Sequence, residues 1–207
     1  MKFVAISDTH GHHNNLSLPS GDILLHTGDI TDFGELDEVE DFLNWLSQLD
    51  FQRKIFIGGN HDSFLEEYPW EIAEMLPEDV TYLCHDGIEI DNISIWGSPT
   101  VAGMHGWTFG RTAGRKMEEH WQYMPFDTQI LLTHVPPAGI LDTSSNGRSK
   151  GCKALQRRIW EVAPIFHVFG HVHSSYGQVE IDGTNFINAA ITNSNCSSMN
   201  EPFVFEL

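Results

Sequence analysis

Cysteine is scarce in this chain of 207 residues, which contains only Cys84, Cys152 and Cys196. Their number is odd and they lie far apart, so the sequence predicts neither a disulfide framework nor a thiolate zinc site. Free thiols of this kind are typical of a reducing compartment, and we therefore expect a cytoplasmic protein.

Positive charge is also scarce, because 11 Lys and Arg residues stand against 29 Asp and Glu residues, for a net charge of −18 at pH 7. Proteins that bind long nucleic acids need a basic surface to neutralise the phosphate backbone, so the charge argues against that class. Small phosphate esters stay compatible with it, since divalent cations bound among carboxylates reverse the local charge.

Long hydrophobic runs are absent as well. No segment approaches the roughly 20 apolar residues that a membrane-spanning helix requires, and the opening "MKFVAISDTH" does not resemble a secretory signal. We therefore expect no membrane partner. Apolar residues make up 41% of the chain, which is enough for a sizeable core, and we expect a single domain over residues 1–207.

The order of apolar and polar residues predicts the fold class. "KFVAIS", "GDILLHTGD" and "RKIFIGGNHD" are short apolar runs that end in polar residues, as buried strands do, and "ELDEVEDFLNWLSQL" has helical spacing. Later segments such as "DGIEIDNISIWGS" and "GQVEIDGTNFINAA" alternate and turn like hairpins. We predict an α/β (α+β) fold, a four-layer αββα sandwich of two mixed β-sheets flanked by helices.

Histidine is abundant, with 12 residues, and several follow predicted strands directly together with Asp or Asn. These side chains offer oxygen and imidazole nitrogen without sulfur, which suits Mn²⁺, Fe, Zn²⁺ or Mg²⁺, and the imidazoles favour transition metals over Ca²⁺. Seven such ligands are too many for one ion with an open position, but they suit two ions about 3.5–4 Å apart that share one carboxylate. The segments that supply them are Asp8-Thr9-His10, Gly28-Asp29, Gly59-Asn60-His61-Asp62, Thr133-His134 and Gly170-His171-Val172-His173.

Each of these segments has a simpler interpretation when it is taken alone. Asp8-Thr9-His10 resembles a surface turn, Gly28-Asp29 is a turn signal, and two histidines in a loop can simply be solvated. Five such segments, each at a strand end, are improbable as coincidences, and together they predict a metal site.

The order of the motifs D-x-H, G-D-x-x-D, G-N-H-D, T-H and G-H-x-H resembles that of the calcineurin-like metallophosphoesterase superfamily, over positions 8 to 173. A closer likeness is to its metallophosphoesterase-domain (brain protein 239-like) branch, which is grouped with class III cyclic-nucleotide phosphodiesterases. That likeness is carried by "SDTHG", "GDILLHTGDIT", "LLTHVPP", "GCKALQRRIWEVAPIFHVFGHVHSSYG" and "FINAA". Residues 63–127 do not share it, so the resemblance assigns no roles to the loops in that stretch.

The resemblance implies a division of the ligands between two metals. The first metal would be held by Asp8, His10 and His173. The second would be held by Asn60, His134 and His171, and Asp29 would bridge the two.

The resemblance also implies catalytic roles for two further residues. His61 would protonate the leaving oxygen, and Asp62 would hold the imidazole of His61. A hydroxide between the metals would attack phosphorus.

The function implied is a metal-dependent phosphodiesterase that acts on small diesters such as cyclic nucleotides, with Mn²⁺ as the favoured metal and Fe, Zn²⁺ or Mg²⁺ as alternatives. A phosphomonoesterase that acts on nucleotides or phosphoproteins is an alternative, because substrate choice depends on the loops around a shared metal core. A non-catalytic metal-binding scaffold is a third hypothesis, and the presence of His61 counts against it. The sequence leaves the physiological substrate, the native metals and the oligomeric state open.

Basic residues in two loops are candidates for substrate contacts. Arg111 and Arg115 lie in a glycine-rich segment, and a guanidinium group suits phosphate oxygens, although a surface charge is the simpler interpretation. The segment "NGRSKG" at 146–151 leads into a predicted helix, whose N-terminus could bind an anion.

Other histidines receive structural interpretations. His26 falls inside a strand pattern and is expected to be a buried, hydrogen-bonded residue or, alternatively, a support for a ligand. His167, inside "IFHVFG", is expected to be a core histidine. His12 and His13 are expected on a solvated loop.

Overall fold

The structure is a computed structural model that describes residues 1–193 and 199–207, so Cys196 lies outside the described residues. Its strands and helices alternate through the first half of the chain and are followed by hairpins. The helices are α1 (Leu36–Ser47), α2 (Ser63–Glu67), α3 (Pro69–Met75), α4 (Arg115–Trp121) and α5 (Lys153–Val162). The strands are β1 (Lys2–Ile6), β2 (Ile23–Thr27), β3 (Arg53–Ile57), β4 (Val80–Tyr82), β5 (Asp86–Ile90), β6 (Ile93–Ser98), β7 (Val101–Ala102), β8 (Gly110–Arg111), β9 (Ile130–Thr133), β10 (Phe166–Phe169), β11 (Gly177–Ile181), β12 (Thr184–Asn188) and β13 (Phe203–Glu206).

Two large sheets form the centre of the molecule. The first has the order β13-β1-β2-β3-β4, in which β1 to β4 are parallel and β13 runs antiparallel to β1. The second has the order β11-β12-β10-β9-β6-β5, with four parallel strands in the middle and an antiparallel hairpin strand at each edge. The prediction of two mixed sheets is confirmed.

The alternation of side chains along each strand explains why the sheets pack face to face. In β1, Phe3 and Ala5 belong to the apolar core shared by the two sheets, whereas Val4 and Ile6 belong to the core beneath the helices. Phe205 of the first sheet stacks on Phe166 of the second, with ring centroids 4.0 Å apart. Each sheet is therefore buried on both faces, as the apolar runs predict.

Local signals in the sequence explain the element boundaries. Glu35 and Glu38 form a capping box at the start of α1, and Pro69 separates α2 from α3. Asp91 and Asn92 have φ angles of 50° and 64° and form the two-residue turn between β5 and β6. Within the described residues, none of the helices has the length and apolar character needed to cross a membrane.

The structure corrects one histidine prediction and confirms two. His13 is fully buried rather than solvated, because its ring packs on Phe42 and Trp45 of α1 and lies 3.0 Å from a carboxylate oxygen of Asp41. His26 is buried and hydrogen-bonded and His167 is buried in the core, as expected, and the structure adds a hydrogen bond of His167.

His167 makes the stability of the fold depend on pH. Its Nε2 lies 2.8 Å from the hydroxyl of Thr133, which itself donates to the carbonyl of Val135, so the neutral imidazole donates to Thr133. Burial lowers the pKa of His167 to about 3, below the usual value of about 6.5 in an unfolded chain. The unfolded state therefore binds the proton more readily, and the stabilisation present above pH 6.5 is lost as the pH falls toward 3.

We expect His167→Asn to flatten this pH dependence, since the variant has no imidazole to protonate on unfolding. The slope of the unfolding free energy against pH between 7 and 5 should fall by up to about 1.4 kcal/mol per pH unit relative to the native chain. Urea denaturation at pH 7, 6 and 5 measures both slopes, and equal slopes would contradict the prediction.

Candidate metal centre

All seven candidate ligands lie in loops that directly follow strands. Asp8 and His10 follow β1, Asp29 follows β2, and Asn60 follows β3 in the first sheet. In the second sheet, His134 follows β9, while His171 and His173 follow β10. Because parallel strands end at the same edge of a sheet, the loops of both sheets meet at one end of the sandwich.

Three of these residues form a first group. The ligand atoms of Asp8, His10 and His173 all lie within 4.8 Å of one another. Nε2 of His173 is 3.4 Å from Oδ1 of Asp8 and 3.4 Å from Nε2 of His10. Two imidazoles and one carboxylate thus converge on one point, from both sheets.

A second group contains Asp29, His134 and His171, whose ligand atoms also lie within 4.8 Å of one another. Nε2 of His134 is 3.3 Å from Oδ2 of Asp29 and 3.1 Å from Oδ1 of Asn60. Oδ2 of Asp29 is also 3.7 Å from Nε2 of His10, so this carboxylate lies between the two groups. The structure brings all seven residues together, and their roles as ligands stay predictions.

The backbone at this site is strained. Asp8, His10, Asp29 and His171 have φ angles of 55°, 43°, 53° and 66°, which side chains other than glycine rarely adopt. Such conformations cost roughly 1–3 kcal/mol each and cluster at functional sites. Backbone hydrogen bonds hold them, among them those from the N–H of Asp8 to the carbonyl of Gly28 and from His10 to Asp29.

Two glycines of the motifs make room for the carboxylates. A Cβ atom on Gly170 would lie 2.0 Å from Oδ2 of Asp8, and one on Gly59 would lie 2.3 Å from Oδ1 of Asp29. Any larger residue at either position would displace a candidate ligand.

Neighbouring histidines keep the buried carboxylates ionised. Burial alone would raise the pKa of Asp8, but the hydrogen bond and charge of His173 hold it well below its usual value. The pKa of Asp29 is also lowered, because His134 outweighs the effect of burial. Burial lowers the pKa of His134 and of His173. Asp29 outweighs this effect at His134, and Asp8 does so at His173, so the pKa of each imidazole is raised to about 9.

The residues present fit divalent cations. The carboxylates are ionised and almost fully buried, a combination that is costly unless positive charge lies beside them. His10 also has a buried Nδ1 with no hydrogen-bond partner among the described residues. The donor set is oxygen and imidazole nitrogen, which transition metals and Mg²⁺ accept.

The predicted contact between Asp62 and the ring of His61 is wrong. Oxygens of Asp62 accept hydrogen bonds from the backbone N–H of Gly59 at 2.7 Å and from the hydroxyl of Thr31 at 2.7 Å. Because it also accepts from the N–H groups of Ile30 and Thr31, Asp62 joins the loops that follow β2 and β3 instead. Burial and the charge of Asp29 raise the pKa of Asp62 to about 6.

Asp32, rather than Asp62, holds the imidazole of His61. Nδ1 of His61 donates to the backbone carbonyl of Asp32 at 2.8 Å, and Oδ1 of Asp32 is 3.8 Å from Nδ1 of His10. His10, Asp32 and His61 form a third group whose ligand atoms lie within 4.8 Å of one another. The only sequence signal was the second Asp of the G-D-x-x-D motif, which does not show where its carbonyl points.

Arg111 and Arg115, the candidates for substrate contacts, both have partners within the protein. Arg115 is exposed and pairs with Glu119 at 2.8 Å, one turn along α4. Nε of Arg111 donates to the hydroxyl of Thr100 at 3.3 Å. The interpretation of Arg115 as a surface charge fits this geometry.

The comparison with protein families agrees with the motifs. The sequence profile described as Calcineurin-like phosphoesterase matches residues 1–175, most of the chain. The chain belongs to this family. Calcineurin-like phosphoesterases are metal-dependent phosphoester hydrolases, and the two groups of ligands supply candidate sites for divalent metals.

Curated relatives of this calcineurin-like phosphoesterase match its full length. It is 35% identical to UPF0046 protein T07D4.2 of Caenorhabditis elegans, with all of this chain and 60% of that protein covered. It is 33% identical to Metallophosphoesterase domain-containing protein 1 of Homo sapiens, with 100% of this chain and 71% of the relative covered. The chain therefore spans less than two thirds of the Caenorhabditis protein.

Solved structures share the fold of this calcineurin-like phosphoesterase at low sequence identity. One solved chain superposes with a TM-score of 0.75 at 15% identity and covers 91% of this chain and 90% of its own. Phosphopantetheinyl Hydrolase (PptH) from Mycobacterium tuberculosis superposes with a TM-score of 0.65 at 16% identity, with 94% and 90% covered. These likenesses show the fold alone.

We expect Gly170→Ala to weaken metal binding, because its Cβ would occupy the position of the Asp8 carboxylate. A substitution that disturbs the orientation of a metal ligand typically costs about 10–100-fold in metal affinity. Mn²⁺ titration by isothermal calorimetry, on chelator-treated protein, measures the change. Gly183→Asn is the matched control, since a Cβ there meets nothing within 4 Å and asparagine tolerates its φ of 84°. Equal affinities of Gly170→Ala and the native chain would contradict the prediction.

Proposed function

We propose that this protein is a phosphodiesterase that hydrolyses small phosphodiesters, such as cyclic nucleotides, with two divalent cations. The observation that carries the proposal is the position of Asp29 between two groups of ligand atoms. A carboxylate shared by two ions is typical of sites that hold both the attacking and the leaving oxygen of a phosphate ester.

In this proposal the seven residues divide as the resemblance implies. Asp8, His10 and His173 would hold one cation, Asn60, His134 and His171 would hold the other, and the carboxylate of Asp29 would be available to both. When bound, such cations supply positive charge to the phosphate oxygens and acidify water. Mn²⁺ is the metal that we propose first, with Fe, Zn²⁺ and Mg²⁺ as alternatives.

His61 is the proposed general acid. Its Nδ1–H is committed to the carbonyl of Asp32, and its backbone N–H donates to Oδ1 of Asp29 at 2.9 Å. The ring is therefore anchored beside the shared carboxylate, with Nε2 as the nitrogen that delivers a proton to the leaving oxygen. Asp62 acts indirectly, since it fixes the loop that carries His61.

The preference for a diester over a monoester rests on the resemblance to the branch grouped with class III cyclic-nucleotide phosphodiesterases, and cavities beside the site offer room for an organic group. Cavities adjoin His171 and His173, whereas His61 faces the half-exposed ring of Trp107, with ring centroids 6.1 Å apart. His61 lines neither cavity.

We further propose that the protein acts in the cytoplasm and that its substrates are small. The net charge of −18 disfavours long nucleic acids, whose backbone would be repelled. A nucleotide-sized ester needs contacts only within the site itself.

The proposal is tested with metal-stripped protein that has been reloaded with Mn²⁺. We expect faster hydrolysis of bis(p-nitrophenyl) phosphate than of p-nitrophenyl phosphate, and we expect a chelator to abolish it. Preference for the monoester would replace the phosphodiesterase with a phosphomonoesterase. Failure to cleave bis(p-nitrophenyl) phosphate, p-nitrophenyl phosphate or cyclic nucleotides while two metals are bound would favour the scaffold.

We expect His61→Ala to keep its metals and to lose roughly 10²–10⁴-fold in the rate of diester hydrolysis, the usual contribution of a general acid. Steady-state kinetics and metal analysis on the same preparation measure the two effects. His105→Ala is the control, because His105 is exposed and lies in none of the three ligand groups. An unchanged rate would refute the role of His61, and lost metal would make His61 a ligand together with His10 and Asp32.

A further inference from the structure

Positive charge is strongly segregated along the chain. Eight of the 11 Lys and Arg residues lie between positions 111 and 158, where only four Asp and Glu residues occur. The other 159 residues carry three cationic and 25 acidic side chains. This single segment is therefore basic within a strongly acidic protein.

Part of the basic segment lines a cavity beside the metal centre. The cavity has a volume of about 500 Å³ and reaches the candidate ligand His171. Lys150, Lys153 and Arg157 line it, and Glu118 is the one acidic residue among its described lining. Because Arg157 is paired with Glu118, the two lysines supply its net charge.

The two lysines have no carboxylate partner within the described part of the chain, in which the other ion pairs are formed elsewhere. Lys150 also lines a second cavity of about 230 Å³, which reaches His171 and His173. The cavities share Met104, Lys150 and His171, so Lys150 lines the same space as the candidate ligands His171 and His173.

The rest of the lining suits a phosphorylated organic molecule. Met104 and Met117 offer apolar surface, and the hydroxyl-bearing Ser144, Ser145 and Ser174 border the second cavity. A volume of about 500 Å³ is within the range of small-molecule binding sites.

We infer that Lys150 and Lys153 bind a second phosphate group of the substrate, so that the preferred ligand is an organic phosphate ester with one phosphate at the metals and another in this cavity. The inference rests on the proposed function, which it makes more specific. Ammonium groups form charge-assisted hydrogen bonds with phosphate oxygens, and those bonds are stronger than neutral ones. The acidic remainder of the chain repels a phosphate that is bound elsewhere.

The inference is tested with adenosine 3′,5′-bisphosphate, adenosine 5′-monophosphate and adenosine 3′-monophosphate. Their inhibition constants against hydrolysis of bis(p-nitrophenyl) phosphate, and their dissociation constants from calorimetry on Mn²⁺-loaded protein, give two independent readouts. We expect the bisphosphate to bind at least about tenfold more tightly than either monophosphate.

The variant Lys150→Gln/Lys153→Gln should reduce this preference to less than about threefold, while hydrolysis of bis(p-nitrophenyl) phosphate continues, since that ester has no second phosphate. Lys150→Arg/Lys153→Arg should keep the preference, because the charge is retained. Lys116→Gln removes a single positive charge from the same segment, but Lys116 does not line either cavity, so this variant should leave the preference intact.

Three outcomes would overturn the inference: equal affinities of the native protein for the three ligands, an unchanged preference in the double glutamine variant, or an equal loss in Lys116→Gln. If diester hydrolysis persists in these cases, the proposed function survives. If hydrolysis is absent, calorimetry still decides the role of the two lysines.

Discussion

The shared carboxylate of Asp29 is the interaction on which the site depends. It lies almost fully buried between His134 and His10, and it accepts the backbone N–H of His61. A carboxylate in this position is stable only if positive charge surrounds it, whether from imidazolium groups or from divalent cations. The strained backbone at Asp29 and at three other candidate ligands indicates that the fold gives up local stability to direct these side chains.

Much of the fold and of the site could be predicted from the sequence, because both depend on local patterns. Buried strands appear as short apolar runs, α1 as a segment with helical spacing, and the hairpins as segments that alternate and turn. The residues of the metal centre could be found because each directly follows a strand. Parallel strands then bring such positions to one edge of the sheet.

The predictions that were wrong or missing concern contacts between distant segments. His13 is covered by α1, and Asp62 turns toward Thr31 and Gly59 rather than toward its neighbour His61. The direction of a side chain in a loop depends on which backbone N–H groups lie near it, and no spacing rule encodes that. The cavity lined by Lys150 and Lys153 is formed by segments about 50 residues apart, which likewise have no common motif.

Each of the two ligand groups draws residues from both sheets. His173 and His171 come from the second sheet, whereas Asp8 and Asp29 come from the first. The metal centre therefore lies where the two sheets meet, and contacts such as the stack of Phe205 on Phe166 hold the same two sheets together elsewhere. A cation bound there would contact residues of both sheets. Its binding energy would therefore also stabilise the packing of one sheet against the other.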